Sequence, residues 1–394
     1  MKAWQRVALA MFAVGWGANQ FTPMLLAYGA ELGMGVQTRA FLFGVYAAGL
    51  VPALLVGGAA SDRWGRRAVV LPAVVLSPLA TLLLVLERES TAGLAAGRLL
   101  AGVCSGVVFS AASAWVSDLA VDEAPGTAAR RAAIALSAGF GVGPLVTGLV
   151  AQWSPAILIT PYLPHLVMGA VAVLLLLPAP GPAPRDPVRR ALVRLPAVTR
   201  GRRFLLVVAP AAPWVFGCAA LSIVFLPAEL PQAGEGALAL TGLLAGLTLG
   251  TGVLVQPWAR RLEERRPLLA GEVGLAAGLL ACLLGLGVLA LGSRLLLLPL
   301  GPIFGVGYGC VLVSGLRETE RLADPEERGA TVAVFYALTY LGFAVPYVLG
   351  ALGGGATALG VALAAMAVSL LVVTLGRRGG PPTPAAAAAA PQGR

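Results

Sequence analysis

One short stretch of this chain gathers charged side chains around a turn: Gly58-Ala59-Ala60-Ser61-Asp62-Arg63-Trp64-Gly65-Arg66-Arg67, set between two apolar runs. A carboxylate among guanidinium groups at such a place suits ion pairing and capping, since Asp62 can accept hydrogen bonds from an arginine or from the first N–H groups of a neighbouring helix. Gly65 permits the turn, and Gly58 is expected to let a neighbouring helix approach closely. Asp118, at the end of a later apolar run, is the expected partner of this group.

Other chemistry-bearing residues are isolated inside apolar runs. Arg98 precedes Gly102 and Gly106 at intervals of four, and a charge there should face the protein interior or a wet cavity, the alternative being to reach the interface along its own stem. Asn19, Gln20 and Pro23 interrupt the first run with amides that need partners, either a solute or a neighbouring helix. Trp214 and Tyr336, with Tyr28, Trp16, Phe216 and Tyr340, would suit a large, partly apolar solute if they face a cavity. Gly139, Gly143, Pro144 and Gly148 form a small-residue face that allows close helix contact. His165, the single histidine, reads as a packed or interfacial side chain and not as a relay.

This inventory excludes most enzyme classes. One histidine and the helix-buried Cys104, Cys218, Cys282 and Cys310, with no CxxC spacing, supply no metal site, so no metal or cofactor is expected. No HExxH, GxSxG or Walker-type loop occurs. A channel would show a filter-like loop or a ring of charge, and neither is visible. The formal charge of +10 is spread in small groups between apolar runs and forms no basic face for nucleic acid.

The elements that must position these residues follow from composition. With 58% hydrophobic and 12% charged residues and a mean hydropathy of +0.86, most of the chain cannot face water, so its solvent is the lipid bilayer. Apolar segments fall at 7–28, 40–60, 68–86, 92–117, 133–153, 157–178, 204–227, 237–258, 267–290, 294–316, 329–351 and 355–376, each near the ~20 residues a spanning helix needs. Twelve spans put both termini on one side. Of the 28 basic residues, 24 then share the side of the termini, three (Arg39, Arg88 and Arg294) lie opposite and Arg98 is left within a span. That bias places the termini in the cytoplasm.

The chain divides into a six-helix bundle at 1–178, a cytoplasmic linker at 179–203, a second bundle at 204–376 and a disordered tail at 377–394. Weak internal echoes support the duplication: Trp16 faces Trp214 and Gly44 faces Gly242 at an offset of 198, and Gly139–Pro144 recurs in shortened form at Gly342–Pro346.

The turn after the second span resembles the signature of the major facilitator superfamily, Gly-x3-Asp-Arg-x-Gly-Arg-Arg/Lys, with every fixed position present at Gly58, Asp62, Arg63, Gly65, Arg66 and Arg67. The resemblance covers residues 4 to 378 and implies an all-α membrane protein of twelve transmembrane helices in two pseudo-symmetric bundles, with this loop a cytoplasmic latch between halves. Arg98 is similar to the family's fourth-helix Arg-x3-Gly motif, associated with proton coupling, although Ala101 replaces its glutamine. The run at Gly139 is similar to the signature of the drug:proton antiporter branch, with the final glycine pair reduced to Gly148. The expected function is therefore secondary transport of a small organic solute, outward, by a monomer in the cytoplasmic membrane of a bacterium, with protons as the candidate coupling ion. A metabolite or sugar importer of the same fold is the first alternative, and an integral membrane channel or enzyme the second.

Overall fold

The computed structural model describes residues 1–119, 127–182, 195–230, 236–324 and 327–378. Residues 183–194 of the expected linker and the tail from residue 379 lie outside these residues. All regular structure among them is helical, in one 3-10 turn at Ala197–Arg200 and twelve longer segments: α1 (Ala3–Asn19 and Phe21–Leu32), α2 (Val36–Trp64), α3 (Arg66–Leu86), α4 (Thr91–Asp118), α5 (Thr127–Trp153), α6 (Thr160–Leu176), α7 (Phe204–Glu229), α8 (Ala237–Arg265), α9 (Leu269–Leu291), α10 (Arg294–Leu322), α11 (Arg328–Ala351) and α12 (Gly355–Arg378).

Ten of these are single helices long and apolar enough to cross a membrane. α6 is shorter, and α1 is broken at Gln20. Pro23 has no N–H to offer the Asn19 carbonyl four residues back, which is where the helix loses its continuity. α12 runs through Arg378, and Arg377 is held by Glu272 of α9 at 2.7 Å. α8 and α10 extend past their apolar runs to Arg265 and Leu322.

Small residues set the packing, because lipid tails are as apolar as leucine and helices associate through close backbone approach. In the first bundle α2 packs along α4, where a Cβ at Gly102 or Gly106 would overlap the Tyr46 or Leu50 carbonyl. The second bundle repeats this between α8 and α10, with Gly305 and Gly309 against the Thr248 and Gly252 carbonyls. Likewise Gly139 of α5 sits on Phe12 and Trp16 of α1, and Gly342 of α11 sits on Pro213 and Gly217 of α7. These contacts make the bundles pseudo-symmetric and correct one detail of the sequence echo: Gly217, not Trp214, is placed as Trp16 is.

The bundles meet along two equivalent seams, α5 with α8 and α2 with α11. Both seams are tight toward the ends of the helices remote from the termini. There Gly148 faces the Leu238 carbonyl and Gly242, and Gln152 Oε1 accepts from the Leu238 N–H at 3.2 Å. On the other seam Gln37 Nε2 donates to the Tyr347 carbonyl at 3.2 Å.

Candidate functional site: a cavity between the bundles

Where the seams separate, on the side of the termini, they enclose a cavity of about 710 Å³. Its mouth is marked by Asp62 of α2, Ser117 of α4, Gln256 of α8 and Gly329 of α11, all near helix ends on that side. α4 and α5 of the first bundle supply Phe109, Ser110, Ser113, Ser137 and Phe140, the two rings packed edge to face at 5.4 Å. Phe109 and Ser110 project from a π-helical turn, Val108–Ala112, a wide turn of the kind often found at functional sites. The second bundle supplies Phe216, Tyr308, Tyr336 and Tyr340.

An aromatic plate closes the cavity at its far end. Phe343 of α11 stacks on Phe43 of α2 at 4.8 Å and lies against Tyr46 at 5.7 Å, so two rings of the first bundle meet one of the second. Phe216 stacks on Tyr340 at 4.6 Å and touches Phe343 at 5.1 Å, which joins the plate to the cavity wall. The space between the bundles is thus open at one end and shut at the other.

Arg98 lies beside this plate with 1% of its surface exposed, which removes the interfacial alternative. Its Nη1 donates to the Ala18 carbonyl at 3.0 Å, its Nε to Leu42 at 3.2 Å and its Nη2 to Phe43 at 3.4 Å. The guanidinium lies over the rings of Phe21 and Tyr46, at 4.7 and 4.6 Å. One cation therefore ties α4 to the break in α1 and to the start of α2. The described residues place no carboxylate in hydrogen-bond contact with it.

At the mouth, Arg66 is the centre of the charged turn. It pairs with Asp62 at 2.6 Å and Asp118 at 3.0 Å and donates to Ser61 Oγ at 2.5 Å. Gly65 holds φ +92°, a conformation that L side chains rarely adopt. Arg63 stacks over Trp64, and Arg67 donates to the Leu177 carbonyl at 2.7 Å. All of these contacts stay within the first bundle. Gly58 departs from expectation: nothing lies within 4 Å of a Cβ placed there, and it lines the cavity. The close approach is made one residue earlier, by Gly57 against Val107 and Ser110.

Of the expected cavity residues, Tyr336 is on the wall and Asn19, Gln20 and Trp214 are not. Gln20 Nε2 donates to Thr81 Oγ1 at 2.8 Å, and Thr81 in turn contacts His165 Nδ1 at 2.8 Å, so these polar groups join α1, α3 and α6. His165 Nε2 donates to the Ala13 carbonyl at 3.1 Å, the position of a packed histidine. Trp214 Nε1 donates to Ser369 Oγ at 2.9 Å and faces α12. The glycine face on α5 is turned to α1 at Gly139 and Gly143 and to α8 at Gly148. The serines of α4 and Tyr308 escaped the sequence reading; the three- and four-residue spacing of Ser110, Ser113 and Ser117 was the available signal.

A family model described as Major Facilitator Superfamily matches residues 7–346. Among solved structures, the nucleoside transporter NupG shares 13% identity over 96% of this chain and 100% of that one, with a TM-score of 0.75. A peptide transporter POT shares 15% over 96% and 94%, with a TM-score of 0.78. A POT family transporter in complex with a thioalcohol-conjugated peptide shares 16% over 96% of both chains, with a TM-score of 0.75. No curated protein matches by sequence. At such identities the structural likeness concerns the fold. The signature turn, the paired bundles and the family match agree: this chain is a multi-pass membrane protein belonging to the Major Facilitator Superfamily.

Proposed function

We propose that the protein is a monomeric secondary transporter that exports a small, largely apolar, uncharged or singly cationic organic solute by alternating access. The observation that carries this reading is the cavity between two pseudo-symmetric bundles, open at one end and shut by stacked rings at the other. Rocking one bundle against the other would part Phe43 from Phe343 and bring the mouth residues together.

The 24-to-3 bias of basic residues supports cytoplasmic termini, in the cytoplasmic membrane of a bacterium, so the described conformation is open to the cytoplasm. Solute class follows from the wall. Among the described lining residues the only charged side chain is Asp62, already paired with Arg66, so an anion or a zwitterion finds no counter-charge deep in the cavity. Resemblance of the α5 glycine face to the drug:proton antiporter signature favours export. The same wall lends proton coupling no support, and Arg98 touches carbonyls and rings instead of an acid.

The test is uptake into inside-out vesicles and right-side-out vesicles of a panel of lipophilic cations, neutral aromatics, sugars and peptides, with and without an imposed pH gradient. Accumulation of aromatics in inside-out vesicles is expected. Accumulation only in right-side-out vesicles would make the protein an importer, and sugar or peptide uptake would overturn the solute class. Orientation is checked separately: a single cysteine at Arg88 should react with an impermeant reagent in intact cells, and one at Arg266 should not.

A further inference from the structure

The two faces of the cavity differ in their hydrogen-bonding sense. On the α4 face, Ser110 Oγ donates to the carbonyls of Gly106 at 2.9 Å and Val107 at 3.2 Å. Ser113 Oγ donates to Phe109 at 2.9 Å, and Ser117 Oγ donates to Ser113 at 3.2 Å. A serine hydroxyl has one proton and two lone pairs. With each proton committed to the helix backbone, the oxygens facing the cavity are acceptors. Spacings of three and four residues align the three serines along one helix face. The strip leads from beside Phe109 to the mouth, where Asp62 adds another acceptor.

Among the described lining residues, no side chain of the first bundle other than its serines carries an N–H or O–H. The opposite face is aromatic, with Phe216 and Tyr340 stacked and Tyr308 beside them. A solute held between these faces keeps a flat apolar side on the second bundle. Against the α4 strip it must offer donors, because an acceptor group there would meet lone pairs and lose its hydration without replacement.

We propose that Ser110, Ser113 and Ser117 form a specificity-determining strip that accepts hydrogen bonds from N–H or O–H groups along one edge of an otherwise aromatic or apolar solute. This rests on the transporter reading for its purpose but makes its own demand on binding. The strip discriminates by donor capacity, whether the donor is a neutral alcohol or an ammonium group.

The test uses purified protein in lipid nanodiscs and three probes of nearly equal size: naphthylmethanol, naphthylmethylammonium and naphthylmethyl methyl ether, with empty discs to subtract partitioning. The alcohol and the ammonium should bind about tenfold tighter than the ether, as expected for one or two hydrogen bonds lost from a desolvated site. Replacing all three serines (S110A, S113A, S117A) should bring the three probes within about twofold of one another, while Ser113→Thr, which keeps the acceptor, should restore part of the difference in a two-alanine background. Unchanged thermal unfolding of the variants confirms that the bundle is intact. Equal binding of ether and alcohol by the unaltered protein overturns the strip, as does a preference confined to the ammonium and abolished by Asp62→Asn. Binding of none of the probes overturns both the strip and the solute class. Donor-selective binding without transport of either donor probe in proteoliposomes would leave the strip standing and overturn the transporter reading.

Discussion

The same junction is closed in opposite ways in the two bundles. Between α2 and α3 a cation sits in the turn: Arg66, with 8% of its side chain exposed, is held by Asp62 and Asp118 from two helix ends. Between α8 and α9 an anion takes the central place. Glu263, 1% exposed, accepts from the N–H groups of Leu268 at 3.0 Å and Ala270 at 3.1 Å, capping the start of α9, and pairs with Arg321 of α10 at 3.4 Å. Glu318 of α10, also buried, pairs with Arg203 at 2.5 Å.

Turn geometry differs as well, with Gly65 at φ +92° in one and Leu268 at φ +67° in the other. What the two share is a buried charged side chain bonded to the fourth helix of the bundle. The polarity of the charges is free to change. A motif defined by residue type therefore marks only the first turn, although both turns solve one problem.

The comparison is broken or sharpened most strongly at Arg66. Arg66→Ala removes a buried guanidinium paired with Asp62 and with Asp118, whose side chain is 6% exposed, and should destabilise the first bundle by about 3 kcal/mol. Arg321→Ala should cost roughly half as much, because Arg321 is 40% exposed and both its acids keep other partners. Thermal unfolding in detergent compares the two; equal losses would show that the central cation matters no more in the first turn than at the edge of the second. Transport by Arg66→Ala should also slow at matched abundance, since Asp62 stands at the cavity mouth.

Gly65→Ala comes next. A side chain at φ +92° and ψ 145° is strained by about 1–3 kcal/mol, so this variant should unfold earlier. An unaltered melting temperature would mean that the turn relaxes without cost.

Glu263→Ala removes a cap with two backbone hydrogen bonds and should cost about 1–2 kcal/mol, visible as faster amide exchange at Leu268 and Ala270. Asp62→Ala, at a carboxylate 43% exposed, should cost about 1 kcal/mol or less. A reversal of that order would contradict the assignment of the anion as the central group of the second turn.

The smallest effect belongs to the exposed pair Arg317 and Glu264, 4.0 Å apart, where Glu264→Gln should change stability by less than about 0.5 kcal/mol. A larger loss would extend the second network onto the surface.

Twelve segments, their alternation of charge and the first turn were legible in the chain because each depends on local composition: hydrophobic length, basic residues at segment ends, a glycine at a turn. Asp118 as a partner of the turn was legible too, since it follows from which helix ends share a side, although the pairing runs to Arg66. The contact made by Gly57 in place of Gly58 was not, because adjacent residues on a helix point about 100° apart and both are glycine.

The cavity wall shows the same limit. Trp214 and Phe216 lie two positions apart on α7, yet one donates to Ser369 and the other faces the cavity. In a soluble helix the polar face would tell them apart. In lipid both faces are apolar, so periodicity carries no sign of which side is inward. That Gln20 and Arg98 needed partners was legible from their types, while an interfacial place for Arg98 stayed open until its burial in the fold closed it. Their partners, Thr81 and the carbonyls of Ala18, Leu42 and Phe43, were set by packing, because a buried polar group is satisfied by whichever helix comes within about 3 Å.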